Sequence, residues 1–216
     1  MFYFNGMFYL VKSPWLFKKY YSECTWNIKT EEKVLYLTFD DGPHPEATPY
    51  VLEVLKQFNA KATFFCIGKN VKEYFDIYKQ VIAEGHKPGN HTYNHLNGWK
   101  TNDKEYLGNI AEAAKIIDSN LFRPPYGKIT KFQLKALQGE KLNLKTIMWD
   151  VLSGDFDASI KYENCYLNVI NNAKEGSIIV FHDSLKSLPA LKYTLPRVLE
   201  YFSKKEFQFE ILLPEH

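Results

Sequence analysis

The chain reads as an α/β domain whose parallel sheet is closed, or nearly closed, into a barrel. Three observations predict this. Its 216 residues suit one domain. Strand-like and helix-like runs alternate about seven times, with no linker, repeat or low-complexity tract after about residue 30. Clusters of ionisable residues fall just past the ends of the strand-like runs, where such a barrel builds its active site. An open doubly wound sheet uses the same alternation and is the alternative.

The elements follow from local pattern. Lys33–Phe39 is a short apolar β-type run. Thr48 is placed as the cap of a helix that carries Val51, Leu52, Val54, Leu55 and Phe58 at helical spacing. Ala62–Ile67, dense in aromatic and β-branched residues, is the next strand. A helix is predicted over 71–84, ending at Gly85. Asn102 with Glu105 has the capping-box spacing for a helix reaching about Asp118. Short strands are expected near 121–123 and 145–149, and helices near 131–137 and 162–173. Ser177–Phe181 is a dense apolar strand, Thr194 and Pro196 mark the start of a last helix, and Phe207–Leu212 closes the chain as a strand.

Composition narrows the function. Hydrophobic residues make up 45% and charged residues 24%, which excludes collagen, a disordered tail and a disulfide-stapled miniprotein. The 27 basic and 25 acidic side chains nearly cancel, so no global basic field argues for nucleic acid. Aromatics reach 16%, which fits a large core, a sugar-stacking groove or a membrane-facing patch. Cys24, Cys66 and Cys165 are scattered and form no CxxC pair, so a disulfide framework and a thiolate zinc site are not expected. Cys66, inside an apolar run, reads as a buried inert thiol. Residues 1–30 read as an arm packed on a single domain spanning 31–216. The aromatic stretch Met1–Tyr21 is broken by Asn5, Gly6, Lys12 and Pro14, too short to span a bilayer and without the order of a signal peptide. Lys12, Lys18 and Lys19 among its aromatics offer peripheral membrane contact as a second role.

Five segments carry ionisable groups. Thr38-Phe39-Asp40-Asp41-Gly42-Pro43 puts two adjacent carboxylates at a strand end, where they repel unless a cation sits beside them; Asp-Asp-Gly-Pro is also ordinary turn chemistry. His91 and His95, four apart, share one face of a helical turn, a chelating spacing, though without the glutamate of HExxH. In Arg123-Pro124-Pro125-Tyr126-Gly127 the prolines stiffen the loop and fix where the guanidinium and the following amides point. Trp149–Phe156 brings carboxylates that serve as caps or, in Asp155, orient a histidine. Val180-Phe181-His182-Asp183 ends the most apolar strand, where a histidine alone carries little weight. Together they weigh more: two His and one Asp make three metal ligands with an open fourth position, the catalytic rather than structural zinc pattern. A spare carboxylate and a spare histidine remain for base and acid work.

In order along residues 33–212, these segments resemble the five motifs of the NodB-type polysaccharide deacetylases, carbohydrate esterase family 4: TFDDGP at 38–43, HTxxH at 91–95, RPPYG at 123–127, the W…SxD segment at 149–155, and the strand ending in His182. The resemblance implies a distorted, partly open (β/α)7-type barrel, the NodB homology domain. It implies one metal, Zn²⁺ first and Co²⁺, Ni²⁺ or Mn²⁺ otherwise, and a hydrolase that removes N-acetyl groups from the amino sugars of a peptidoglycan- or chitin-like polymer. By motif, Asp41, His91 and His95 correspond to the metal ligands and Asp40 to the catalytic base. Arg123 corresponds to the residue that holds the base, the Tyr126 N–H to an oxyanion donor, His182 to the general acid and Asp155 to the group that tunes it. Two departures are Phe156, where the family usually has Trp, and Val180, where Leu is common; both keep an apolar wall. Hydrolysis of another acyl group (an O-acetyl ester, or a formamide on a lipid-linked sugar) and a non-catalytic carbohydrate-binding protein are the rival readings. An N-acetylated sugar is the expected partner, nucleic acid is not, and the chain is expected to be a monomer. With no export signal visible, the expected place is the cytoplasm or the inner membrane face.

Overall fold

Strand β1 (Val34–Asp40) is buried along its whole length, and its alternation decides which side faces what. Leu35, Leu37 and Phe39 pack outward into the main core with the helices, whereas Val34 and Tyr36 point inward. The inward row continues through Thr38 to Asp40, so the inside of the sheet turns from apolar to polar towards the strand's C-terminal end. The computed structural model describes residues 9–139 and 142–213.

All sheet pairings are parallel. On one side β1 is followed by β2 (Ala62–Cys66), β3 (Lys87–Asn90), β4 (Leu121–Phe122) and β5 (Lys145–Thr146). On the other side come β7 (Ile178–His182) and then β6 (Val151–Leu152), and β8 (Gln208–Phe209) pairs with the start of β1. The two edges, β5 and β6, are close neighbours in sequence, so the sheet curls back on itself without closing. The partly open barrel is borne out. Outside it lie α2 (Ala47–Gln57), α3 (Gly68–Glu73), α4 (Phe75–Ala83), α5 (Asp103–Ala114), α6 (Lys131–Leu137), α7 (Tyr162–Ile170) and α8 (Leu188–Ser203); a short α1 (Trp15–Tyr20) precedes the sheet.

Several expected boundaries move, each for a physical reason. Thr48 is not a cap: Glu46 occupies that position with no side-chain bond, and Thr48 is buried in the first turn. There its hydroxyl accepts the His44 N–H at 2.8 Å and donates to Asp183 at 2.5 Å. The helix expected over 71–84 is two helices, α3 and α4, meeting at the non-helical Tyr74. The last helix begins at Leu188 rather than near Thr194, with Pro196 inside it. The carbonyl that Pro196 leaves unbonded belongs to Lys192, an exposed residue, where water can serve it. Strand β3, Lys-Pro-Gly-Asn, is absent from the sequence reading because it holds two strand breakers. It tolerates Pro88 because its pairing with β4 is confined to Asn90.

The segment before β1 spans the seam between β5 and β6. Thr25 bridges to Ile147, Lys12 to Val151 and Asn27 to Ser177. Asp150, which lies between the two edge strands and is 2% exposed, fastens it. Its carboxylate takes Lys12 Nζ at 2.6 Å, Lys18 Nζ at 2.5 Å and the Ser177 hydroxyl at 2.7 Å. The beginning of the predicted arm, residues 1–8, lies outside the described residues. Charge-assisted bonds of this kind contribute about 1.5–3 kcal/mol each against loss of a partner. Asp150→Ala is therefore expected to lower unfolding free energy by about 2–3 kcal/mol, measured by urea denaturation, with Asp150→Asn losing less.

Candidate active site

The register of the sheet assembles the site. Asp40 at the end of β1 stands opposite Phe65 of β2 and His182 of β7. Cys66 stands opposite Asn90, and Asn90 opposite Phe122. The residues that follow, Asp41, His91 and Arg123, therefore emerge together at the C-terminal end of the sheet.

Asp41, His91 and His95 offer one ligand atom each, all within 4.8 Å of one another. His95 Nε2 is 3.1 Å and His91 Nε2 3.7 Å from Asp41 Oδ1, a buried oxygen without a hydrogen-bond partner. His91 Nδ1–H donates to the Arg123 carbonyl at 2.8 Å, which leaves the Nε2 lone pair aimed at the carboxylate. Burial pushes the His91 pKa down to about 4, so the ring is neutral at physiological pH. Burial raises the Asp41 carboxyl, but the surrounding histidines 95, 182 and 91 more than reverse this and hold it well below the usual range. Lone pairs converging on an unpartnered buried oxygen are what a divalent cation needs, and two nitrogens plus one carboxylate suit zinc. The donor set fits the metal.

Arg123 is fully buried. Its Nη1 bonds Asp40 Oδ1 and Thr38 Oγ1, both at 2.7 Å, while Nη2 and Nε reach the carbonyls of Met148 and Ile147 at 2.9 and 3.2 Å. The guanidinium lies 4.1 Å from the Phe65 ring centre. That ring fits because residue 89 is glycine: a Cβ there would come within 2.5 Å of it. Burial lowers the Arg123 pKa, and the Asp40 carboxylate opposes the fall.

His182 is clasped by Asp155. The backbone N–H bonds Oδ2 at 2.7 Å, and Nδ1–H bonds Oδ1 at 2.8 Å, leaving Nε2 for the site. Burial lowers the His182 pKa, but Asp155 above all, then Asp41 and Asp40, raise it to about 9. The ring is a cation at neutral pH. Tyr126 has φ of 59° in the turn Pro125–Gly127, and its ring centre is 4.7 Å from that of His95. The turn's own bonds, Gly127 N–H to Pro124 O and Lys128 N–H to Pro125 O, leave the Tyr126 N–H unused. Asp40, Asp41, His91, His95, Arg123, Tyr126, Asp155 and His182 thus gather at one end of the sheet.

The polysaccharide deacetylase family model matches residues 27–145. The chain belongs to that family. It is 35% identical over 191 residues to a peptidoglycan-N-acetylglucosamine deacetylase of Bacillus cereus, covering 86% of this chain and 89% of the relative. A chitooligosaccharide deacetylase of Azorhizobium caulinodans is also 35% identical, covering 78% and 90%. The crystal structure of the Bc1960 peptidoglycan N-acetylglucosamine deacetylase superposes with a TM-score of 0.84 at 32% identity, over 93% of this chain and 95% of that one.

Two supports of this deacetylase-family site escaped the sequence reading. Asp183, quoted with its motif but given no role, is fully buried and accepts the Gly42 N–H at 3.1 Å besides the Thr48 hydroxyl. Burial raises its pKa to about 8, and Asp41 and Asp40 act in the same direction against the Thr48 bond. It occupies the space a side chain at residue 42 would need, 2.0 Å from an added Cβ, and so fixes the turn after Asp41. Asn109 accepts the N–H groups of Tyr93 and Asn94, both at 2.9 Å, and pins the loop between His91 and His95. Its signal was present: Tyr106, Asn109, Ile110 and Ala113 form one buried helical stripe, and an amide there needs a partner.

The raised pKa of His182 gives a signed pH effect. Its stabilisation is complete below the unfolded value of 6.5 and is lost as pH rises through about 9. In Asp155→Asn the dominant opposing charge is gone and burial prevails. The His182 titration, followed by NMR of the ring, is expected to fall below neutral pH, and the loss of stability between neutral and alkaline pH should shrink with it. An unchanged titration would contradict the assignment of cause.

Proposed function

We propose that the chain is a metal-dependent N-deacetylase of amino-sugar polymers or oligomers, peptidoglycan- or chitin-like. The observation that carries this reading is the unpartnered Asp41 oxygen facing two imidazole nitrogens, beside a buried carboxylate and a protonated histidine. A cation held by Asp41, His91 and His95, Zn²⁺ by donor type and Co²⁺, Ni²⁺ or Mn²⁺ by substitution, would polarise the amide carbonyl and lower the pKa of water towards about 7. Asp40 accepts the proton of the attacking water, held in its rotamer by Arg123. The Tyr126 N–H donates to the oxygen on which negative charge develops. His182 gives its proton to the departing amine, a poor leaving group as an anion, and Asp155 keeps the ring charged and oriented. The exposed Tyr126 ring, 58% accessible and 4.7 Å from that of His95, gives a sugar a surface to stack on at the rim.

Alpha-1 presents Trp15, Leu16, Phe17 and Tyr20 to solvent, with Lys19 over the Trp15 ring. This supports the reading that the segment touches a membrane surface peripherally. No described helix is long and apolar enough to cross a membrane.

The test is acetate release from N-acetylated chito-oligomers, peptidoglycan fragments, acetylated xylan and aryl acetates, with metal analysis in parallel. His91→Ala and His95→Ala are expected to lose both metal and turnover. His182→Ala should keep a stoichiometric metal and lose about 10²–10⁴-fold in rate. Full metal retention after both ligand histidines are replaced would refute the site, and ester cleavage without amide cleavage would refute the substrate class.

A further inference from the structure

The wall beside the acid histidine is not built by the barrel alone. Phe156 stands edge-on to His182, ring centres 5.1 Å apart and planes at 69°. Tyr9, from the segment that precedes the sheet, also packs on Phe156, with ring centres 5.0 Å apart and planes tilted by 60°. Its hydroxyl fills the space over Gly154, where φ is +83° and an added Cβ would meet it at 2.7 Å. Tyr9 therefore lies against residues 154 and 156, on both sides of the Asp155 that grips His182. It is anchored from behind: Leu152 N–H bonds Val11 O at 2.8 Å, and Asp150 holds Lys12 and Lys18.

Phe156 is smaller than the Trp that the family resemblance implies at this place. The Tyr9 ring packs on this smaller phenyl and adds to the wall beside His182. We propose that Tyr9 is a positioning residue for the acid half of the site: through Phe156 and the 154–156 loop it fixes the His182 ring where its proton is delivered. The segment before the sheet is then part of the working enzyme. The kinetic side of this inference rests on the deacetylase reading; the ring position does not.

The experiment uses the full, metal-loaded chain with Tyr9→Ala, Tyr9→Phe, Phe156→Trp and the Tyr9→Ala/Phe156→Trp pair. It measures kcat and KM on chito-oligomers and the His182 Cε1–H signal by NMR. Tyr9→Ala is expected to lower kcat by about 10-fold, since small misplacements of a catalytic group act mainly on the chemical step. Its KM should stay near wild type, and its His182 signal should broaden or split. Tyr9→Phe, which loses only the hydroxyl that fills the space over Gly154, should fall between; if Tyr9→Ala does not fold, this variant carries the test. Phe156→Trp in the Tyr9→Ala background should restore most of kcat, because the larger ring fills the vacated space. Wild-type kcat in Tyr9→Ala, a change in KM alone, or no rescue by Trp overturns the proposal. If wild-type protein releases no acetate from any glycan, the deacetylase reading fails by itself. A single sharp His182 signal in Tyr9→Ala would then still overturn the positioning role.

Discussion

The buried guanidinium of Arg123 is the constraint on which the other parts of the site depend. Its nitrogens hold the Asp40 carboxylate and the Thr38 hydroxyl of β1, and they take up the carbonyls of Ile147 and Met148 in the stretch between β5 and β6. Its own carbonyl fixes the tautomer of His91. One residue thus holds the Asp40 carboxylate, the His91 ring and the stretch between the two edge strands. The arrangement tolerates little exchange. Removing one partner of a buried, hydrogen-bonded ion pair typically costs about 3–5 kcal/mol, and lysine lacks the planar fork that reaches four acceptors at once.

Around that anchor the backbone is held in conformations that side chains normally avoid. Asp41, Thr92, His95 and Tyr126 all have positive φ, between 58° and 79°. Such residues each cost about 1–3 kcal/mol and persist only where their surroundings determine them. The surroundings are visible. Thr92, β-branched and so the least tolerant, has its N–H on Asn90, its carbonyl on Gly68 N–H and its hydroxyl on Leu96 N–H. The Asp41 carbonyl takes Asn70 Nδ2 at 2.8 Å, and Asp183 fills the space behind Gly42. The left-handed turns let short loops aim three side chains at one point, which an extended exit from the strands would not do.

Much of this was legible in the chain, and the division has a physical basis. Strands β1, β2 and β7 are dense apolar runs, and the ionisable residues after them announce themselves by type. Site residues were legible because their chemistry is local to short motifs. What stayed hidden depends on neighbours distant in sequence. Strand β3 looks like a loop because Pro88 and Gly89 break strands; the glycine is there to admit Phe65 beneath Arg123. Pro196 looks like a helix start, yet its missing N–H is harmless beside an exposed carbonyl. Thr48 looks like a cap, yet its hydroxyl is spent on Asp183, 135 residues away. Nothing in the local pattern reveals these partners.

The same dependence on partners explains how the Asp40 carboxylate and the His182 imidazolium stay distinct on adjacent strands. Asp40 and His182 are register partners, and a carboxylate and an imidazolium so placed attract each other. Each is committed elsewhere instead. Asp40 Oδ1 bonds the Arg123 guanidinium at 2.7 Å, a group that does not surrender its proton. The imidazolium is matched by Asp155, which takes both the Nδ1 proton and the backbone N–H and leaves Nε2 unengaged. Two ion pairs, Asp40 with Arg123 and His182 with Asp155, thus stand side by side at the end of the sheet. The sheet register supplies the closeness, and each side chain is held by its own buried partner.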